Sequence, residues 1–129
     1  MDKPLNQHIP NTLLTRAINE KALLVFAHGA GAGMNHAFMQ NLSEQLNALQ
    51  ISVLRFNFPY MDKRAEDGKR RPPDRMPKLI DCYRTVLNNV LENEVVNGKV
   101  RVPIFIGGKS MGGRVAATLA SDELLSSND

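Results

Sequence analysis

An α/β fold is predicted by three features of this 129-residue sequence. Residues 22–27 and 102–106 are short apolar runs, and residues 51–58 are rich in β-branched and aromatic residues, which is typical of parallel strands that are buried on both faces. A segment with helical spacing of its apolar residues follows each of them. This alternation predicts βαβ crossovers and a mostly parallel sheet with helices on both faces, in a single domain over residues 1–129.

The first two strands have clear stop signals. Residues 22–27 end at a glycine cluster, and residues 51–58 end at Pro59. The helix predicted between them begins after Asn35, which is a suitable N-cap residue. Its apolar residues recur at every third or fourth position and so share one face: Phe38, Leu42, Leu46 and Leu49.

The second helix is predicted from Pro77, near its start, to the stop signal Asn97-Gly98. The charged stretch before it, from Asp62 to Arg75, is predicted to be a loop. A third helix is expected to open just after Ser110, with these residues on its buried face: Val115, Ala116 and Leu119.

The composition places the chain among soluble globular proteins, with 43% hydrophobic and 22% charged residues. The longest apolar run, residues 22–27, is far shorter than the roughly 20 residues of a membrane-spanning helix. The first residues lack the apolar segment of a secretory signal, and Cys82 is the single cysteine. We therefore expect a cytoplasmic protein without a disulfide, a metal or another cofactor, and without contact to a membrane.

A net charge of +3 raises the question of nucleic-acid binding. Basic residues concentrate in residues 63–75, but acidic residues are interspersed among them and no aromatic residue follows Tyr60 there. This composition is typical of a solvated loop and not of a surface that stacks bases, so no nucleic-acid partner is expected. The arginines of residues 70–75 could still hold an acidic group of a substrate; a stiff, solvated linker is the alternative.

Residues 108–112 read Gly-Lys-Ser-Met-Gly, a G-x-S-x-G motif between a predicted strand and a predicted helix. An abrupt strand-to-helix turn projects the serine hydroxyl from the carboxyl edge of the sheet and crowds the positions two residues away. Gly108 and Gly112 are small enough for that crowding, and Gly113 adds room. The pattern predicts a nucleophile elbow with Ser110 as the catalytic nucleophile.

Residues 28–33, which read His-Gly-Ala-Gly-Ala-Gly, follow the first strand directly. Such a loop can bring a backbone N–H close to a substrate without interference from side chains. We predict an oxyanion hole built from the N–H groups of Ala30 or Gly31 together with Met111. His28 is interpreted as a structural residue that ties the loop by hydrogen bonds.

Two nucleotide-binding interpretations of these glycines fit poorly. The third glycine of a G-x-G-x-x-G fingerprint would fall at Met34 or His36, and Asn57 stands where an acidic residue is required. A phosphate loop would need its first glycine at Pro103, inside a predicted strand.

The chain resembles the α/β-hydrolase superfamily, in its dienelactone-hydrolase-like section. More narrowly, it is similar to bacterial hydrolase-like proteins related to the animal testis-expressed and NSL-complex hydrolase-like domains. Four segments carry the resemblance: residues 26–33, 55–60, 71–73 and 107–113. The resemblance implies a parallel-sheet sandwich and a catalytic triad in the chain order Ser, Asp, His.

No histidine follows Ser110, and Asp122 comes too early in the chain for the family's acid. We therefore expect only the front part of the hydrolase fold, truncated after the nucleophile helix and without its C-terminal strands. The first hypothesis is a serine hydrolase of ester or acyl compounds, inactive as this chain alone. A non-catalytic interaction module and a nucleotide binder are the alternatives. We also expect self-association through the unpaired edge of the strand predicted at residues 102–106.

Overall fold

A computed structural model describes the backbone of residues 10–127 and the side chains of residues 10–123. Of the three histidines in the sequence, His8 lies outside this range. The elements in chain order are β1 (Thr12–Thr15), β2 (Ala22–Ala27), α1 (Ala37–Ala48), β3 (Ile51–Phe56), α2 (Pro59–Asp67), α3 (Met76–Glu94), β4 (Val95–Val96), β5 (Lys99–Val100), β6 (Ile104–Gly108) and α4 (Met111–Ser127).

The main sheet has four strands in the order β1-β3-β2-β6. Strand β2 pairs in parallel with β3 on one side and with β6 on the other, so the predicted mostly parallel sheet is confirmed. Strand β1 pairs antiparallel with β3 at the edge and was not predicted. Its four residues are largely exposed, and so short a segment gives no clear alternation of polar and apolar residues.

Helices cover both faces of this sheet, as predicted. On one face α3 and α4 pack over β2 and β6, with Tyr83 fully buried among them. The Tyr83 hydroxyl donates to the carbonyl of Val25 and accepts from the N–H of Gly107, 2.9 Å away. On the other face α1 packs over β3 through Met39, which contacts Phe26 and Val53. The sheet is therefore the centre of a three-layer α/β arrangement.

The loop predicted from Asp62 to Arg75 is wrong in its first part, because residues 59–67 form helix α2. Pro59 occupies the first turn, and Gly68 ends the helix with a left-handed φ of 72°. Helix α2 is a short amphipathic helix with many charged residues, and its Tyr60 and Met61 are buried against the core. Tertiary burial of two side chains therefore decides a helix that composition alone describes as a loop.

Two predicted helix ends also need correction. The N-cap of α1 is His36 and not Asn35, because the His36 Nδ1 accepts the Phe38 N–H at 3.2 Å. Asn97 and Gly98 do not end α3, which stops at Glu94, but form the two-residue turn between β4 and β5. Both have positive φ angles, 53° and 78°, which is the requirement of a type I′ hairpin turn.

Strand β6 lies at the edge of the sheet, with β2 as its partner strand in the described residues. Its Phe105 is 57% exposed, on the face where α1 covers β3. No helix in the described part of the chain is long and apolar enough to cross a membrane.

An ion-pair cluster lies at the opposite end of the strands from their carboxyl edge. Arg16 contacts Glu20 and Glu94, each at 2.7 Å. Arg101 reaches the same two carboxylates at 3.0 and 3.5 Å. Glu94 is 4% exposed, and its hydrogen bond with Arg16 lowers the pKa of its carboxyl below the ordinary value of 4.5. The cluster joins the end of α3 to the segments that enter β2 and β6.

We expect acid to weaken this cluster. Because the folded-state pKa of Glu94 is lowered, its stabilisation is fully present above pH 4.5 and is lost as the pH falls towards the folded-state pKa. Glu94→Gln should lower the free energy of unfolding by about 1–2 kcal/mol at pH 7, since both arginines are partly exposed. The variant should also lose less of its free energy of unfolding than the wild type when the pH falls from 7 to 4. Urea unfolding at pH 7 and pH 4 measures both effects, and the exposed Glu92→Gln on the same helix is the control.

Candidate active site

Ser110 lies at the abrupt turn between β6 and α4. The strand ends at Gly108 and the helix begins at Met111, which leaves two residues for the reversal. Ser110 has a φ of 53°, a left-handed conformation that costs a residue with a Cβ about 1–2 kcal/mol. Its side chain is exposed. The predicted strand-to-helix turn is thus present, with a strained and accessible serine at its apex.

The two glycines of the motif have no space for a side chain. A Cβ at Gly108 would lie 2.3 Å from the carbonyl carbon of Gly112, and a Cβ at Gly112 would lie 2.5 Å from the His28 carbonyl oxygen. Both obstacles are backbone atoms, which cannot rotate away. By contrast, a Cβ at Gly107 would meet nothing closer than 3.6 Å. The turn therefore packs backbone against backbone, between β6 and α4 and between α4 and the end of β2.

The loop of residues 28–33 and Ser110 lie at the same edge of the sheet. Strands β2 and β6 run parallel, with Ala27 beside Gly108, and the Lys109 N–H continues their ladder to the Ala27 carbonyl at 3.0 Å. A cleft of about 310 Å³ separates the loop from the turn. We call it the serine cleft; its lining comprises residues 29–32, His36, Met39, Lys109 and Ser110.

Side chains hold three consecutive carbonyls of this loop. The Gly29 carbonyl accepts from the His28 Nδ1 at 2.6 Å, and the Ala30 carbonyl accepts from the Tyr60 hydroxyl at 2.9 Å. The Gly31 carbonyl accepts from Arg64 at 3.0 Å. Tyr60 and Arg64 are one helical turn apart on α2. Burial raises the pKa of Tyr60 to about 12, so its hydroxyl stays protonated and remains a donor.

These contacts orient the N–H groups of the loop. In a trans peptide the N–H points opposite to the preceding C=O. The N–H groups of Ala30 and Gly31 therefore point away from His28 and Tyr60, which hold the carbonyls. Within residues 10–127 these two N–H groups, and that of Met111, donate to no protein acceptor. Ala30 and Gly31 line the serine cleft with Ser110, whereas the Met111 side chain is buried in the core.

His28 is fully buried and ties the loop, as the sequence indicated. Its Nε2 accepts the Phe58 N–H at 3.0 Å, so the proton of the neutral ring is on Nδ1 and is donated to Gly29. Burial lowers the pKa of this imidazole, which keeps it neutral. The nitrogen that could accept a proton is therefore already engaged.

His36 is exposed and lines the serine cleft. Its Nδ1 also accepts a backbone N–H, that of Phe38. Among the described residues the Ser110 hydroxyl has no hydrogen-bond partner, and no group of acidic, histidine or cysteine side chains is arranged to hold a metal ion. Neither described histidine offers Ser110 a free accepting nitrogen.

Two further residues position the loop and were missed from the sequence. Directly after the loop, the Met34 carbonyl accepts from Arg55 and the Met34 N–H donates to Asn57, both at 2.9 Å. Arg55 and Asn57 are two residues apart at the end of β3 and are both buried. Polar residues in a strand that is otherwise apolar are the sequence signal that could have found them.

The arginines of residues 70–75 do not line the serine cleft. Arg71 pairs with Asp67 at 2.5 Å, and this pair lowers the pKa of the Asp67 carboxyl to about 2. Arg70 and Arg75 are exposed. The arrangement favours the solvated linker over a substrate-binding role for this segment.

A sequence profile described as the alpha/beta hydrolase domain matches residues 20–128. The chain belongs to this family. No match was found among curated protein sequences.

Solved structures of hydrolases share the fold. Est1E from Butyrivibrio proteoclasticus, determined with bound ferulic acid, matches 88% of the chain with a TM-score of 0.68 and 18% identity. An alpha-beta serine hydrolase homologue from Coxiella burnetii matches 95% with a TM-score of 0.62 and 18% identity. Dienelactone hydrolase from Anabaena variabilis matches 89% with a TM-score of 0.61 and 18% identity. The chain spans 44%, 60% and 59% of these three structures, respectively.

The backbone contacts at the turn predict which glycines are required. Gly108→Ala and Gly112→Ala should each lower the free energy of unfolding by about 3 kcal/mol, because the new Cβ meets rigid backbone. Gly107→Ala in the same strand should change it by less than about 1 kcal/mol, since its Cβ makes ordinary contacts. Urea unfolding of the three variants measures the difference; equal losses at all three positions would contradict the packing described for the turn.

Proposed function

We propose that the chain carries the nucleophile and the oxyanion hole of a serine hydrolase that cleaves esters or similar acyl compounds. The observation that carries this proposal is the strained, exposed Ser110 facing a loop whose N–H groups are unpaired. Ser110 is held at φ 53° between two glycines that have no room for a side chain, and strained backbone of this kind is concentrated at functional sites.

In the proposed reaction the Ser110 Oγ attacks the carbonyl carbon of the ester while a general base takes its proton. The oxygen of the tetrahedral intermediate becomes negative and accepts from the N–H groups of Ala30 or Gly31 and of Met111. The bond to the alcohol oxygen breaks, and the alcohol leaves with the transferred proton. Water then attacks the acyl-serine, its proton passes through the base to the Ser110 Oγ, and the carboxylic acid is released.

The general base is proposed to come from the part of the hydrolase fold that follows α4. Both described histidines use their accepting nitrogen on a backbone N–H, and no histidine follows Ser110 in this sequence. By its resemblance to the family, the triad would take its acid and then its histidine from later positions. The chain alone is then expected to turn over esters negligibly, because a serine without a base is a weak nucleophile.

The test is ester hydrolysis by a version of the protein extended through the downstream reading frame. Ser110→Ala should lower its kcat/KM for a small p-nitrophenyl ester by about 10⁴-fold or more. Ser121→Ala is the matched control, since Ser121 is exposed on α4. Activity that survives Ser110→Ala would exclude Ser110 as the nucleophile, and an extended protein without any esterase activity would favour the non-catalytic interaction module.

The short chain supplies a second readout. We expect slow and incomplete labelling of Ser110 by a fluorophosphonate probe in the 129-residue chain, and rapid labelling in the extended version. Rapid, stoichiometric labelling of the short chain would show that a base is already present within it.

Self-association of the 129-residue chain through β6 is also proposed. The far side of β6 has no partner strand among the described residues, and Phe105 adds an exposed apolar side chain. Phe105→Lys should shift the chain towards the monomer in sedimentation velocity, because a charge disfavours pairing at an edge. The control is Val95→Lys, at an exposed residue of the β4–β5 hairpin. A wild-type chain that stays monomeric at high micromolar concentration would contradict this expectation.

A further inference from the structure

In the described part of the chain, the charged side chain that lines the cleft beside Ser110 is basic, and no carboxylate lines this cleft. Beside the serine cleft lies a second cleft of about 320 Å³, which shares Ala32 and His36 with it and extends to Arg64. No Asp or Glu lines either cleft, although the chain has 13 acidic residues. The basic side chains that line them are Lys109 and Arg64, one at each end of the loop, with His36 between the two clefts.

Neither basic side chain is neutralised. In the described part of the chain, Lys109 and Arg64 form no ion pair, unlike Arg16, Arg71 and Arg84. The Lys109 ammonium lies 4.5 Å from the ring centroid of Phe38, which holds it at the rim of the serine cleft. A cation–π contact at an exposed site is weaker than a charge-assisted hydrogen bond, so a carboxylate can recruit this ammonium.

His36 adds a donor to the same place. Its Nδ1 accepts the Phe38 N–H, so the neutral ring carries its proton on Nε2. This ring therefore offers an N–H, and not an accepting nitrogen, to a ligand in the serine cleft that it lines. A ligand group with an oxygen acceptor is therefore complementary to the N–H of His36.

We propose that the ligand of the serine cleft is an ester that carries a carboxylate, which Lys109 and His36 bind while the ester carbonyl meets Ser110. The identification of the ligand as an ester rests on the proposed function, whereas the preference for a negative charge rests on the cleft itself. Lys109 directly precedes Ser110 and lies beside Phe38 at the start of α1. A substrate charge bound there lies within a few bonds of the scissile ester, which favours short acyl groups.

The test is a pair of probes of nearly equal shape and different charge, monomethyl succinate and dimethyl succinate. Each is titrated into the ¹⁵N-labelled chain with Ser110→Ala, which prevents turnover, and the amide shifts of residues 29–32 are followed. The monoanion should bind about tenfold more tightly than the neutral diester, and 0.5 M NaCl should reduce this preference. The same titration of the extended protein removes any effect of aggregation of the short chain.

Lys109→Met should abolish the preference for the monoanion over the diester. The control is Lys21→Met, because Lys21 is exposed at the opposite end of β2. Equal affinity for the two probes, no binding of the monoanion, or a preference that survives Lys109→Met would each overturn the proposal. None of these results depends on hydrolysis. A failure of the proposed function would instead appear as esterase activity that survives Ser110→Ala in the extended protein.

Discussion

The close packing of backbone between the β6–α4 turn and the end of β2 is the constraint on which the site depends. Gly108 and Gly112 let α4 begin against the carbonyls of Ala27 and His28. That approach fixes the left-handed conformation of Ser110 and places it beside the loop that follows β2. A methyl group at Gly108 would clash with the start of α4, and one at Gly112 would clash with the end of β2. The backbone conformation of Ser110 thus depends on the absence of side chains at Gly108 and Gly112.

The loop itself is shaped through its carbonyls. Two residues of α2, Tyr60 and Arg64, bind successive carbonyl oxygens, and His28 binds the one before them. At the other end, Arg55 and Asn57 hold both backbone groups of Met34. Each contact fixes one peptide plane. The N–H groups of the loop are therefore held in place before any ligand arrives, which is the condition for efficient stabilisation of a developing negative charge.

The histidines illustrate how hydrogen bonds decide chemical roles. His28 and His36 have opposite tautomers, because the first accepts through Nε2 and the second through Nδ1. In both, a backbone N–H occupies the basic nitrogen. His28 is thereby restricted to structure, and His36 becomes a donor at the rim of the serine cleft. In the part of the chain that the structure describes, Lys109 and Arg64 in the same region form no ion pair, so this region is suited to donate hydrogen bonds to a ligand oxygen rather than to take a proton.

The sequence by itself determined the α/β class, the three main strands and the helices between them, because long apolar runs and glycine stops carry strong local signals. It also determined the position of Ser110, since its turn requires glycines at fixed spacing. Only the tertiary structure decided α2 and the edge strand β1, which depend on burial or on hydrogen bonds between segments distant in the chain. The cap of α1 by His36 is a local hydrogen bond, which the neighbouring Asn35, a more usual N-cap residue, obscured in the sequence. The contacts of Tyr60 and Lys109 could not be predicted from the sequence either. Helix α2 brings Tyr60 to the loop, and the Phe38 ring holds Lys109 at the cleft, only after the chain has folded.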